Sequence, residues 1–255
     1  MGPSVLLRSA PRLCRPRFAS YWAGSARRVL LTQSGRVGGA LIDPNELSRR
    51  HRKCGKPVIG VTGGIGAGKS TVAGILGSLG AAVISSDHLG HELLRDPQVL
   101  ATLRRWWGES ILTPNGDVHR GAVASIVFRD QAELARLESL LHPRIAARRE
   151  ALMEAYTADL SVKAIVLDTP KLYEAGVDAL CDMVIFVDAD QSACLRRLAE
   201  SRGWTEEELN RRKKMQNPLD VKRTKADHVI VNNSGIGELR MQVERVFSTL
   251  VNYLA

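Results

Sequence analysis

Apolar residues in this chain fall into short unbroken runs separated by longer periodic stretches. Val58, Ile59, Gly60 and Val61 form one such run between Pro57 and Thr62, the pattern of a strand buried on both faces of a parallel sheet. Beyond Ser70, residues Val72, Ala73, Ile75, Leu76 and Leu79 recur at helical spacing. The same alternation predicts strands at 82–84, 163–167, 183–187 and 228–231. Helices are predicted over 88–95, 97–107, 120–128, 131–156, 192–201, 206–216 and 237–253. Pro97 suits a first helical turn, and Thr113-Pro114-Asn115-Gly116 reads as a turn. Pro143 predicts a break or kink in the helix over 131–156, because proline removes an N–H and crowds the preceding turn. Strands alternating with helices imply an α/β fold, a five-stranded parallel sheet flanked by helices. The helices between the second and third strands exceed a minimal crossover, so residues of about 88–156 are expected as an inserted helical subdomain.

Composition changes this picture only at the N-terminus. The chain has 255 residues and a net charge of +9, which would suggest a polyanionic partner. Residues 1–56, however, hold twelve Arg and Lys against Asp43 and Glu46, a net +10, so the rest carries +9 − 10 = −1. A nearly neutral body removes the main support for nucleic-acid binding. No run of 18 apolar residues occurs, so no membrane span is expected. Residues 1–42 lack acids and are rich in Arg and Ser, a composition shared by organellar transit peptides and by disordered basic leaders. Residues 1–56 are therefore expected to be a disordered leader outside a domain spanning 57–255. The location follows as cytoplasmic, or mitochondrial if residues 1–50 are a transit peptide. Cys14, Cys54, Cys181 and Cys194 show no C-x-x-C pair, as expected in a reducing compartment.

Candidate chemistry concentrates after the first strand. Gly63-Gly64-Ile65-Gly66-Ala67-Gly68-Lys69-Ser70 fits the phosphate-binding loop G-x-x-x-x-G-K-S/T at every fixed position, between a predicted strand and a predicted helix. Its glycines let backbone N–H groups approach phosphate oxygens, and the helix that follows points its positive end at the same anion. Lys69 can reach the β- and γ-phosphates of a nucleoside triphosphate, and the Ser70 hydroxyl can ligate a bridging magnesium ion. Asp87, after the second strand, and Asp168, after the third, are acids at strand C-termini, which face the ligand crevice of an α/β sheet. His88 and His91 could share a helix face, but no third ligand has matching spacing, so a solvated or substrate-facing pair is the simpler reading. A dense basic segment runs from Arg196 to Lys225. Most of it reads as solvated helix, with a few arginines available to neutralise a transferring phosphoryl group.

With these residues in view, the chain from Pro57 to its end resembles the dephospho-coenzyme A kinases, small-molecule kinases of the P-loop class. The similarity is carried by VTGGIGAGKST, by VISSDHLGHEL against a strand ending in D-A-D, and by Leu141-His142-Pro143 against L-H-P. LDTPKLYE matches D-x-P-L-L-x-E, Arg212 and Gln216 match R-x-x-x-Q, and ADHVIVN matches A-D-x-V-I-x-N. The resemblance implies a P-loop kinase fold with a helical acceptor-binding subdomain and a lid over about 196–225. It implies transfer of the ATP γ-phosphoryl group to the ribose 3′-hydroxyl of dephospho-CoA, with Mg2+ as cofactor and a monomer or weak oligomer as the working form. Residue by residue it implies Gly63 to Thr71, including Ile65, Ala67 and Thr71, on the ATP phosphates. Lys69 and Asp87 would be catalytic, with Asp87 or Asp168 serving the Mg2+ shell of Ser70 through water. His142, Asp168 and Lys171 would line the acceptor pocket, and Arg202 and Arg212 would be lid arginines. Ser85 stands in place of the first acid of D-A-D, Lys171 in place of a leucine, and Arg202 lies one position out of register. The rival readings are a P-loop kinase of another small acceptor, of the nucleoside monophosphate type, and a non-catalytic nucleotide sensor.

Overall fold

The computed structural model describes residues 55–213 and 218–254. Residues 1–54 of the leader and Gln216 of R-x-x-x-Q lie outside the described residues. Five parallel strands form one sheet in the order β2-β3-β1-β4-β5. They are β1 (Val58–Gly63), β2 (Ala81–Ser85), β3 (Ala164–Asp168), β4 (Met183–Asp188) and β5 (His228–Val231). β1, whose six residues are all buried, lies at the centre between β3 and β4. Its period-two alternation divides the core in two. Ile59 and Val61 face a cluster with α1 (Lys69–Ser78) and α9 (Ile236–Leu254), through Val72, Leu76, Val243, Phe247 and Leu250. Val58 faces the other cluster, with Leu89, Met153, Leu172 and Cys181. At about 25 cal/mol per Å² of apolar surface, each of these fully buried side chains contributes on the order of 1.5–3 kcal/mol.

Between β2 and β3 the chain forms four helices: α2 (Ser86–Leu93), α3 (Pro97–Trp107), α4 (Arg120–Val127) and α5 (Gln131–Ala158). All four start at side-chain caps, that of α4 being His119, whose ring nitrogen accepts from Ala122 N. The Ser85 hydroxyl accepts from His88 N, Asp96 from Gln98 and Val99 N, and Asp130 from Ala132 and Glu133 N. The block has an apolar core of its own, with Val99, Leu103, Ile111, Val123 and Val127 buried against Leu134, Leu137, Leu140 and Leu141 of α5.

Of the break or kink expected at Pro143, the structure shows no break. Helix α5 runs unbroken for 28 residues with Pro143 inside it. Its first half is anchored by Leu134 to Leu141 in the block's core, and its second half by Ile145, Leu152 and Met153 against the sheet. Packing at both ends outweighs the one hydrogen bond and the crowding, about 3 kcal/mol, that proline imposes. After β4 come α6 (Gln191–Arg202), α7 (Glu206–Lys213) and α8 (Leu219–Lys225). Helix α8 is not expected from the sequence, where the basic pattern at 219–225 marks no separate helix.

Candidate active site

The loop from β1 to α1 is held by backbone conformations that glycine alone adopts easily. Gly68 has φ +94°, and a Cβ there would sit 2.3 Å from Asn232 Nδ2. Gly63 packs so closely on β4 that a Cβ would meet the Val187 carbonyl oxygen at 2.4 Å. Lys69 Nζ donates to the carbonyls of Gly63 (3.2 Å) and Gly64 (2.8 Å), folding its ammonium back over the loop. Burial lowers the Lys69 pKa, the carboxylates of Asp168 and then Asp87 oppose this, and the Lys222 cation adds to it. Ser70 and Thr71, in the first turn of α1, are exposed.

Asp168 and Asp87 approach the loop from neighbouring strands. β2 and β3 pair with Ser85 opposite Asp168, and β1 pairs with β3 so that Val61 lies opposite Asp168. Asp168 therefore lies beside the start of the phosphate loop. Burial raises its pKa, with Lys69 opposing and Asp87 adding to the rise. Asp87 is exposed in the first turn of α2. The turn is tied to β3 by a 2.8 Å hydrogen bond between the hydroxyls of Ser86 and Thr169. Lys69, Asp87 and Asp168 thus share one electrostatic neighbourhood at the C-terminal edge of the sheet, where α/β folds hold ligands.

The other expected site residues lie around this centre in different ways. His142 is exposed on α5, one turn before Ile145, whose Cδ1 would lie 3.8 Å from a Cβ on Gly90 of α2. Lys171 forms a 2.5 Å ion pair with Glu138 of α5. The Arg202 guanidinium lies over Trp204, 5.2 Å from the ring centre. Arg212 bonds Glu208 at 2.6 Å and lies between the rings of Trp204 (4.3 Å) and Phe128 (5.1 Å). Both arginines are thus engaged with aromatic faces.

Three residues given no role by the sequence reading brace the site. Asn232, buried at the end of β5, donates Nδ2 to the Ala67 carbonyl at 2.8 Å. Arg197 of α6 donates to Asn232 O at 2.7 Å, to Asn232 Oδ1 at 3.1 Å and to the Gly66 carbonyl at 3.5 Å. Lys222 of α8, its side chain only 3% exposed, pairs with Glu174 at 2.6 Å and donates to the Pro170 carbonyl at 3.1 Å. One turn before it, Leu219 Cδ1 would lie 3.2 Å from a Cβ on Gly64. The available signal for Lys222 was its spacing of three from Leu219, which puts both on one helix face.

No group of three His, Cys, Asp or Glu among the described residues could hold a metal ion by itself. The donor set of one hydroxyl and two nearby carboxylates instead suits magnesium, which keeps several waters and takes phosphate oxygens alongside one or two protein ligands. Among the described residues no helix is long and apolar enough to cross a membrane.

A central strand running into a glycine-rich phosphate loop, a lysine over that loop, an acid at the end of β3 and another in the first turn of α2 define a P-loop kinase fold. The family model described as dephospho-CoA kinase matches residues 57–238, most of the chain. The chain belongs to the dephospho-CoA kinase family. It is 39% identical over 197 residues to a dephospho-CoA kinase of Corynebacterium efficiens, covering 76% of this chain and 96% of that protein. A Geobacillus kaustophilus dephospho-CoA kinase is 38% identical over 194 residues, covering 72% and 92%. Among solved structures, TT1252 from Thermus thermophilus superimposes with a TM-score of 0.64 at 31% identity, covering 76% of this chain and 97% of that one. Dephospho-CoA kinase from Campylobacter jejuni gives 0.54 at 25% identity, with the same coverage.

Proposed function

We propose that this chain transfers the γ-phosphoryl group of ATP to the ribose 3′-hydroxyl of dephospho-CoA, giving coenzyme A. The observation that carries the reading is the convergence of Lys69, Asp87 and Asp168 at the mouth of the phosphate loop. The loop amides and the N-terminus of α1 hold the ATP phosphates, and Lys69 leaves its backbone carbonyls to meet the negative charge spread over the γ-phosphoryl oxygens. Bound Mg2+ would be held by Ser70, with Asp168 reaching its water shell, and would neutralise charge on the β- and γ-phosphates. Asp87, exposed and at the acceptor side, orients the 3′-hydroxyl and takes its proton late in the transfer. The 3′-oxygen bonds to the γ-phosphorus as the bond from that phosphorus to the β,γ-bridging oxygen breaks, and ADP leaves.

The test is an assay of the full chain for ATP-dependent 3′-phosphorylation of dephospho-CoA against a panel of nucleosides and nucleoside monophosphates. Asp87→Asn keeps the side-chain shape but removes the proton acceptor and its charge, so turnover should fall by roughly 10²–10⁴ with ATP affinity unchanged. A fully active Asp87→Asn beside a dead Asp168→Asn would move the acceptor to the Asp168 side of the cleft. Preference for a nucleoside monophosphate over dephospho-CoA would favour the rival kinase reading.

A further inference from the structure

Phe128, the residue that ends α4, is 51% exposed, although Val123 and Val127 of that helix are buried in the block's core. A single exposed apolar side chain needs no explanation by itself, but this ring has a cation over it. The Arg212 guanidinium of α7 lies 5.1 Å from the Phe128 ring centre and 4.3 Å from that of Trp204, within the range at which a ring face attracts a cation. Its Nε donates to Glu208 at 2.6 Å, one turn back on the same helix. On its other side α7 is held to α6 without Phe128. Gln191, the first residue of α6, donates Nε2 to Glu206 at 3.1 Å and accepts from Lys213 Nζ at 3.1 Å, so it grips both ends of α7. Leu209, between those ends, is fully buried. The block leaves the sheet after β2, and α6 and α7 leave it after β4, both from the C-terminal edge. In the order β2-β3-β1-β4-β5 these strands lie on opposite sides of β1, which carries the phosphate loop. The contact of Phe128 with Arg212 therefore joins the two sides of the cleft.

We propose that Phe128 is a positioning residue that clasps α7 across the cleft through Arg212 and thereby couples the binding of the two substrates. The inference goes beyond the reading above and rests on it only for the identity of the acceptor. A ligand that steadies the block brings Phe128 to the guanidinium, and a nucleotide that steadies α6 and α7 brings the guanidinium to the ring. Each substrate thus makes the clasp easier to form for the other. Such coupling is reciprocal, so ATP must tighten the acceptor by the same factor as the acceptor tightens ATP. A cation–π contact at an exposed site corresponds to roughly a 2–5-fold change in an equilibrium constant, which sets the size of the effect. The ring face carries the contact, so a side chain of similar apolar bulk without a π face cannot replace it.

The test uses the full chain and its Phe128→Ala, Phe128→Leu and Phe128→Tyr variants. Amide hydrogen exchange across α7 is read without ligands. Calorimetry then measures the affinity for a non-hydrolysable ATP analogue with and without dephospho-CoA, and for dephospho-CoA with and without the analogue. In the wild type each ligand should tighten the other by one shared factor. Phe128→Ala should speed exchange in α7 by roughly 2–5-fold and reduce the mutual tightening by a similar factor, with the sheet exchanging as before. Phe128→Tyr keeps the ring face and should behave as the wild type, whereas Phe128→Leu should behave as Phe128→Ala. Unchanged exchange in α7 of Phe128→Ala, an equal rise throughout the block and sheet, or full rescue by leucine overturns the clasp. Absence of mutual tightening in the wild type, or its full retention in Phe128→Ala, overturns the coupling. If dephospho-CoA does not bind the wild type, the acceptor reading fails alone. The clasp then stands on faster exchange in α7 of Phe128→Ala and falls on equal rates.

Discussion

Replacing Lys222 by methionine keeps the side-chain length and removes only its charge. The ammonium it deletes is almost wholly buried, pairs with Glu174 at 2.6 Å and donates to the Pro170 carbonyl at 3.1 Å. Removing one member of a fully buried ion pair costs about 3–5 kcal/mol, because the other charge is left unpaired. Glu174 keeps 23% of its side chain in water and can be partly re-solvated, so we expect less than that, about 2–3 kcal/mol including the orphaned carbonyl. For a domain of this size that is a fall in Tm of about 4–12 °C, read by thermal unfolding at pH 7.5. Lys222→Met/Glu174→Leu removes both charges and should return Tm to within a few degrees of the wild type, because an apolar pair in a buried site is often neutral or stabilising. Turnover should behave differently. Both variants release the Pro170 carbonyl, two residues from Asp168, from its hydrogen bond to α8, so both should be slow. An unchanged Tm in Lys222→Met would refute the energetic argument. Recovery of full turnover in the double variant would refute the link between α8 and the Asp168 loop.

Other perturbations test the site from different directions. Gly68→Ala forces a left-handed φ on an L side chain, about 1–2 kcal/mol, and pushes Asn232 off the Ala67 carbonyl, about 1 kcal/mol more. It should lower Tm and weaken ATP binding measured by calorimetry, and intact ATP affinity would show that the loop can re-form without Asn232. Burial raises the Asp168 pKa, so the folded chain holds that proton more tightly than the unfolded chain does. The resulting stabilisation is complete below the unfolded carboxylate value and is lost as pH rises through the raised folded value. The difference in Tm between Asp168→Asn and the wild type should therefore become more positive from about pH 4 to pH 7.5. A difference that stays flat across that range would mean that the carboxylate is not penalised by burial. Gly60→Ala should destabilise by about 1–3 kcal/mol through overpacking, since its Cβ would sit 2.8 Å from Cys181 Sγ and 3.1 Å from Leu172 Cδ1.

The sequence by itself determined the elements whose chemistry is local. The strand at Val58, the glycine loop and the helix after it are written in consecutive residues, because glycine φ preference, strand burial and helix polarity act over a few positions. The acids at 87 and 168 were legible for the same reason, each following an apolar run, although the structure ends the strand at Ser85 and puts Asp87 in the first turn of α2. Of the break or kink expected at Pro143, the break does not occur, because a local cost of about 3 kcal/mol is set against packing that only the fold supplies, on the block's core at one end and the sheet at the other. The braces of the site were illegible for a related reason. Asn232 meets Ala67 across 165 positions, Arg197 meets Gly66 across 131, and Lys222 meets Pro170 across 52. In a run of ten Arg and Lys between 196 and 225, the spacing of three from Leu219 is the one local mark of Lys222, and Arg223, at a spacing of four, shares that face. Tertiary structure decides between them, because a lysine is driven to keep its charge in water unless a carboxylate and a carbonyl meet it inside, and here those partners come from the loop after β3.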